Sequence, residues 1–257
     1  MKSRNLHTIL LGMLFCLAGV TPVYASAPYN LSDSGNAEYA KGNYAAAIAF
    51  YTKFLSIGYR SADVYYNLGN CYYRTNSIGK AILNYERAKK LAPGDADIRF
   101  NLQLANQRTS DKIVANPQLI FITWWNNFAN RTSERGWGIA CIILFIISLT
   151  LILFYLMSSR LKLRQLGFWS GIFMLALCLF SFLLANQQYN RAARHNTAIV
   201  MSASVTVKGA PSDSGTQLFL IHEGAKVWIL KTNGSWVEIK LANGNQGWMP
   251  AADITII

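Results

Sequence analysis

The sequence predicts a multi-domain membrane protein in three parts: an all-α repeat solenoid, a two-helix transmembrane hairpin and a small all-β barrel. Three observations predict it. The stretch 36–58 aligns with the stretch 70–92 at an offset of 34 residues. Two later runs, each about 20 residues long, carry no charge, enough to cross a bilayer as helices. The last stretch, from 198 onward, alternates short apolar segments with Asn-Gly pairs.

The composition agrees. Hydrophobic residues make up 52% of the chain and charged residues 14%, against about 25% charged in ordinary soluble proteins. The net charge is +12, but it is scattered. Lys2 and Arg4 lie at the start, Arg160, Lys162 and Arg164 between the greasy runs, and Arg191 and Arg194 after them. A nucleic-acid face requires a continuous basic stripe, so no nucleic-acid partner is expected. Of the cysteines, Cys16, Cys141 and Cys178 lie in apolar runs and only Cys71 in a soluble segment. No disulfide framework or metal cluster is expected from them, and Cys71 reads as a small buried residue.

The chain opens with a basic start, an apolar stretch from Ile9 to Val20 and then Ala25-Ser26-Ala27. These are the three parts of a signal peptide over 1–27, with cleavage expected after Ala27. An uncleaved N-terminal anchor is the alternative.

Residues 28–113 carry the repeats. Asn36 matches Asn70, Tyr39 matches Tyr73, Ala47 matches Ala81, Ile48 matches Ile82, Tyr51 matches Tyr85 and Ile57 matches Leu91. A 34-residue period with "YYNLGNCYY" and then Ala81, Tyr85, Ala88 and Pro93 is the pattern of the tetratricopeptide repeat. Gly69 and Ala81 permit close helix approach, and Tyr85 fills the gap between repeats. The first repeat is less regular, with Ser34 in place of the Leu and Tyr59 in place of the Pro. A third unit starts at 96 but lacks its second helix, so 96–113 reads as a capping helix. Two repeats and a cap are near the minimum for a stable stack, and packing against the membrane or a partner is expected to help. The repeat spacing puts Asn36, Tyr39, Asn70, Tyr73 and Arg74 on the inner face, with Phe100 and Arg108 continuing it on the cap. These are the expected partner-binding residues; the alternative is a solvated helical spacer. Ser32 and Asp97 stand where a carboxylate-clamp groove has lysines, so recognition of a partner's C-terminal carboxylate is not expected.

Residues 114–136 read as an interfacial linker, 137–157 and 166–185 as transmembrane helices, and 158–165 as the loop between them. That loop, "SSRLKLRQ", holds three basic residues and no acidic one. The positive-inside rule puts it in the cytoplasm and both flanks outside, in agreement with the export signal. Trp124, Trp125, Trp137 and Trp169 fall near the expected interfaces, where indoles favour the headgroup zone. Within the runs only Ser148, Thr150, Ser170 and Ser181 are conspicuously polar, which argues against a transporter. In a cell with two membranes the repeats then face the periplasm.

After a linker over 186–197, residues 198–257 contain "KVWIL", "SWVEIKL" and "QGWMP", separated by Asn-Gly at 233–234 and 243–244. Such pairs favour tight hairpins. The order of V-x-V-K-x-x-P, E-G-x-x-V, N-G-x-W-V-x-I and N-G-x-x-G-W resembles the bacterial SH3-like domain. Val227, Val237 and Ile239 are expected in its core; Trp228, Trp236 and Trp248 are read as either core or ligand-facing.

The whole order, including "NLQLANQRTSDKI" and "PQLIFITWWNNF", resembles the tetratricopeptide-repeat member of the Bat family of aerotolerance proteins. The resemblance implies a part in an envelope complex linked to oxygen or stress tolerance. It implies protein partners of the von Willebrand factor A type and a MoxR-type ATPase system. Catalysis is not expected. The chain has no Walker-type phosphate loop and no His-Glu-x-x-His, and no histidine lies in 28–112 to activate Cys71. Asp95 and Asp97 read as helix-start residues, and His195 and His222 as surface residues. The expected function is a membrane-anchored, periplasm-facing adaptor without a cofactor; the alternative is a cell-envelope sensor binding peptidoglycan through the tail.

Overall fold

The computed structural model describes residues 29–114 and 116–257. The signal peptide expected over 1–27 lies outside the described residues. Five helices form the N-terminal stack: α1 (Tyr29–Ala40), α2 (Tyr44–Ser56), α3 (Ala62–Arg74), α4 (Ile78–Leu91) and α5 (Ala96–Gln107). The turns inside the two helical hairpins fall at equivalent positions and both need a positive φ. Gly42 supplies it in the first (+78°), and Asn76 in the second (+62°), Asn being the side chain that best tolerates this region. Helix α5 starts where Asp95 caps it, its carboxylate accepting from the backbone N–H of Asp97 and Ile98 at 2.9 and 3.1 Å.

Two tyrosines hold the stack. Tyr51 and Tyr85 are 0% and 1% exposed, and each ring lies flat against the glycine one helix back. A methyl group on Gly35 or Gly69 would sit 2.5 and 2.7 Å from those rings, so only glycine permits the approach. Around Tyr51 pack Ala47, Phe54, Val64, Leu68 and Cys71. Around Tyr85 pack Ala81, Ile82, Leu83, Leu102 and Ala105.

Helix α6 (Ile120–Ala129) occupies part of the expected linker. Two long helices follow, α7 (Glu134–Met157) and α8 (Leu161–Ala193). Both are long and apolar enough to cross a membrane. At 1.5 Å per residue they measure roughly 36 and 50 Å, more than the ~30 Å of hydrocarbon. Their connection is shorter than the expected loop, only Ser158, Ser159 and Arg160. Helix α8 also continues through 186–193, where a linker was expected. The extension is held from the side: Gln188 Nε2 donates to the Ala129 carbonyl at 2.6 Å, and Arg191 donates to Asn130 and Asn126 at 3.1 and 2.9 Å. Gly167 and Gly171, one turn apart, let α8 approach α7 closely. Every polar side chain singled out in these helices is satisfied. Ser148 donates to Gly171 O and Ser181 to Trp137 O across the pair, while Thr150 and Ser170 bond back along their own helices.

The C-terminal part is a seven-stranded antiparallel sheet of β1 (Thr197–Val200), β2 (Ser204–Lys208), β3 (Gln217–His222), β4 (Lys226–Asn233), β5 (Trp236–Lys240), β6 (Gln246–Pro250) and β7 (Ile254–Ile256). The strand order is β3-β2-β6-β5-β4-β1-β7. The expectation was a barrel; β3 and β7 are the edges, and among the described residues they do not pair. Both Asn-Gly pairs make hairpin turns. Asn233 pairs with Trp236 across a two-residue turn in which Gly234 has φ +58°. At the other, Gly244 (φ +94°) donates to Leu241 O, and Leu241 donates to Asn245 O, a three-residue loop with a glycine bulge. Val227, Val237 and Ile239 are buried as expected. Trp228, Trp236 and Trp248 are half-buried on the other face.

The sheet docks on the repeats. Ile199 and Ile257 enter the α4–α5 core beside Ile82 and Leu102. Lys226 pairs with Glu86 at 2.6 Å, and Glu223 accepts from the Gly79 N–H at 3.0 Å. Lys90 donates to the carbonyls of Arg194 and Ile257; burial, then the nearby cations, hold its pKa below the usual lysine range. His222, expected at the surface, instead binds Asp111 through both its backbone N–H and Nδ1, at 2.7 and 2.8 Å. The stack is thus closed by the chain's own sheet, where the sequence pointed to the membrane or a partner.

Candidate partner-binding groove

The first helices of the repeats, α1 and α3, stand beside α5, and the seven expected groove residues lie on these helices or at the end of α5. They divide into two sets with different work to do.

Asn36 and Asn70 are structural brackets. The Asn36 amide oxygen accepts from Tyr51 OH at 2.7 Å and from Asn67 Nδ2 at 3.0 Å. The Asn70 oxygen accepts from Tyr85 OH at 2.7 Å and from Asn101 Nδ2 at 3.0 Å. The two sets coincide at an offset of 34, residue for residue. Each gives a buried phenol its acceptor and ties the helix of one repeat to that of the next. Asn67 and Asn101 complete the brackets and were missed as functional candidates; the offset that paired Asn36 with Asn70 also pairs them. Asn67 donates to Asn36 and Asn101 to Asn70, which leaves this belt occupied by the protein itself.

Tyr39, Tyr73, Arg74 and Arg108 form the second set. The neighbouring Tyr39 hydroxyl holds the Arg74 guanidinium above its usual pKa. Arg108 lies over the Tyr73 ring, 5.2 Å from its centroid, and donates to Asn76 Oδ1 at 2.6 Å. Tyr39 and Tyr73 are equivalent positions, and so are Arg74 and Arg108. The pairs are therefore two equivalent rungs of one ladder, each a tyrosine and the arginine of the next helix, and Tyr73 and Arg108 are in direct contact. Both arginines are exposed, and neither pairs with a carboxylate among the described residues. Tyr39 is further fixed by an edge-on contact with Tyr44. On α5, Phe100 is 65% exposed, and Leu104 beside it is partly exposed. The ladder thus offers two positioned guanidinium forks, phenol hydroxyls and an apolar end.

Cys71 lies behind this face and is fully buried. Burial pushes its thiol up to about 11, far from a nucleophile at neutral pH. Among the described residues no group of three or more His, Cys, Asp or Glu converges to hold a metal.

The tetratricopeptide repeat family matches residues 62–95, the second repeat from α3 to the Asp95 cap. A search of curated proteins finds no match. Among solved structures, the tetratricopeptide domain of Sgt2 from Aspergillus fumigatus is 17% identical, at a TM-score of 0.31, covering 65% of this chain and 82% of that one. MamA is 16% identical at the same TM-score of 0.31, covering 66% and 82%. The repeat assignment rests on the family match and on the internal equivalences. Tetratricopeptide repeats are protein-interaction modules, which gives the chain a role in protein–protein contact.

Proposed function

We propose that the protein is an adaptor of the cell envelope, anchored in the inner membrane by α7 and α8, with the repeats and the sheet in the periplasm. It binds a partner protein and catalyses nothing. The carrying observation is the Tyr39–Arg74 and Tyr73–Arg108 ladder, exposed and repeated in register on a chain whose other polar belt is internally satisfied. Orientation is supported by Arg160 in the turn and Lys162 and Arg164 at the start of α8 and agrees with the signal peptide expected over 1–27. The apolar sleeve of α7 and α8 supports a lipid surround. Large side chains such as Ile142, Phe145, Leu156, Phe173, Leu179 and Phe182 are exposed along it, far more apolar surface than a water-soluble protein presents. Helix α6 lies at the end of that sleeve, tied by Trp125 and Phe128 to Phe180 and Trp137. Its Ile120, Phe121 and Trp124 are exposed, in keeping with a helix at the lipid interface.

The tail is read as an SH3-like module that adds a second contact, and the resemblance to the Bat family makes its von Willebrand factor A-type proteins and MoxR-type ATPase system the first partners to test. Photo-reactive residues at Tyr39, Tyr73 and Arg74 in intact cells should crosslink to a von Willebrand-type membrane protein. Crosslinks only from the outer helices, or none, would make the repeats a spacer. A second reading, a sensor that holds peptidoglycan on the sheet, is favoured by the outward Trp236, over which Lys208 lies at 5.3 Å. Retention of the full chain on purified sacculi, lost on Trp236→Ala, would support it.

A further inference from the structure

From the ladder we infer the chemical class of the partner: an extended protein segment bearing carboxylates about three residues apart. The inference rests on the groove reading above and deepens it.

Each rung presents a guanidinium whose planar fork suits a carboxylate. Two acids close to the rungs in sequence are already engaged. Glu38 pairs with Lys41 at 2.7 Å and accepts from Asn43 at 2.9 Å. Asp111 is bonded to His222. Arg108 is held in place by Tyr73 and Asn76, Arg74 occupies the equivalent position beside Tyr39, and neither has a counter-charge among the described residues. Basic residues at helix C-termini gain a little from the helix dipole. That accounts for their sign but not for the register, since α1 ends without one. Neighbouring packed helices stand about 10 Å apart. An extended chain in the polyproline form has three residues per turn and rises about 3.1 Å per residue, so every third side chain returns to the same face and meets the next rung. Phe100 and Leu104 offer an apolar seat beyond the last rung. The asparagine belt cannot act as a clamp for a terminal carboxylate, because Asn36 with Asn67 and Asn70 with Asn101 bond to each other. The ladder reads internal acidic side chains instead.

The test uses the full chain in lipid nanodiscs and a fluorescein-labelled Gly/Ser peptide with Glu at every third position, its probes matched by Gln and Lys versions. The Glu peptide is expected to bind and to weaken with salt. Arg74→Gln and Arg108→Gln should each weaken it about tenfold, with Arg74→Lys falling between, since it keeps charge but loses the fork. Equal binding of the Gln peptide, full binding by the double variant, or no binding of the Glu peptide up to about 1 mM would overturn the inference. Crosslinking in cells separates the two claims. If the groove still captures its partner in the folded double variant, the groove reading stands and the acidic reading falls. If capture fails from Tyr39 and Tyr73 in the parent chain, the groove itself is refuted.

Discussion

Replacing Asn70 by Ala separates a bracket from a ligand-binding residue. Its amide oxygen accepts from Tyr85 OH at 2.7 Å and Asn101 Nδ2 at 3.0 Å. Asn101 keeps a partner, because it also donates to Tyr66 OH at 2.8 Å. Tyr85 does not: the residue is 1% exposed, so its hydroxyl is stranded. Losing two neutral hydrogen bonds costs about 1 kcal/mol each, and a stranded buried hydroxyl adds about 1–3 kcal/mol, partly overlapping those losses. The stack should lose about 2–4 kcal/mol in total. Asn36→Ala removes the equivalent bond from Tyr51, which is 0% exposed, but the place of the Asn36 side chain itself is exposed; water can enter there and take over as acceptor, so about 1 kcal/mol is expected. Hydrogen exchange by mass spectrometry in nanodiscs reads this as opening of α3 and α4. Exchange there should rise at least about thirtyfold for Asn70→Ala and only a few-fold in α1 for Asn36→Ala. If Asn70→Ala exchanges like the parent yet loses its partner, Asn70 is a contact residue and the bracket argument is wrong.

Three further outcomes follow from the packing. Gly69→Ala gains about 1 kcal/mol of helix propensity but drives a methyl to 2.7 Å from the Tyr85 ring. A net loss of about 1–2 kcal/mol should lower the exchange protection of α3, and a gain would refute the contact. Lys226→Ala leaves the nearly buried Glu86 unpaired, so β1 and α4 should lose about 2 kcal/mol of protection while the core of α1–α2 is unchanged. The Cys71 thiol, pushed up to about 11 by burial, keeps a proton that an unfolded chain releases above about 8.5. The folded stack therefore loses stability as pH rises from about 8.5 toward 10, a slope that Cys71→Ala should remove; iodoacetamide should label Cys71 at pH 8 only after unfolding.

Packing also brings two of the free cysteines together. Cys141 and Cys178 sit in separate apolar runs, yet their sulfurs lie 3.5 Å apart across α7 and α8. Copper-phenanthroline should convert both to a disulfide, blocking maleimide labelling of the pair in the denatured chain. Two labelled thiols after treatment would mean that the helices do not pack in this register.

The sequence alone determined the parts whose signals are local or periodic. The 34-residue offset gave the helical hairpins, their tyrosines and the ladder positions, because one packing problem recurs at each repeat. Charge-free length gave the two long helices, and Asn-Gly gave both hairpin turns, because φ above zero is a property of one residue. What only the tertiary structure decided depends on partners far away in the chain. That Asn36 and Asn70 serve the fold while Arg74 and Arg108 have no carboxylate partner among the described residues follows from which side chains reach them across neighbouring helices. That α8 runs on to Ala193 follows from Asn126 and Asn130 receiving Gln188 and Arg191. And the sheet closes the repeat stack because Ile199 and Ile257 complete a core that two repeats and a lone helix leave open, a contact between segments far apart in the chain that no local pattern encodes.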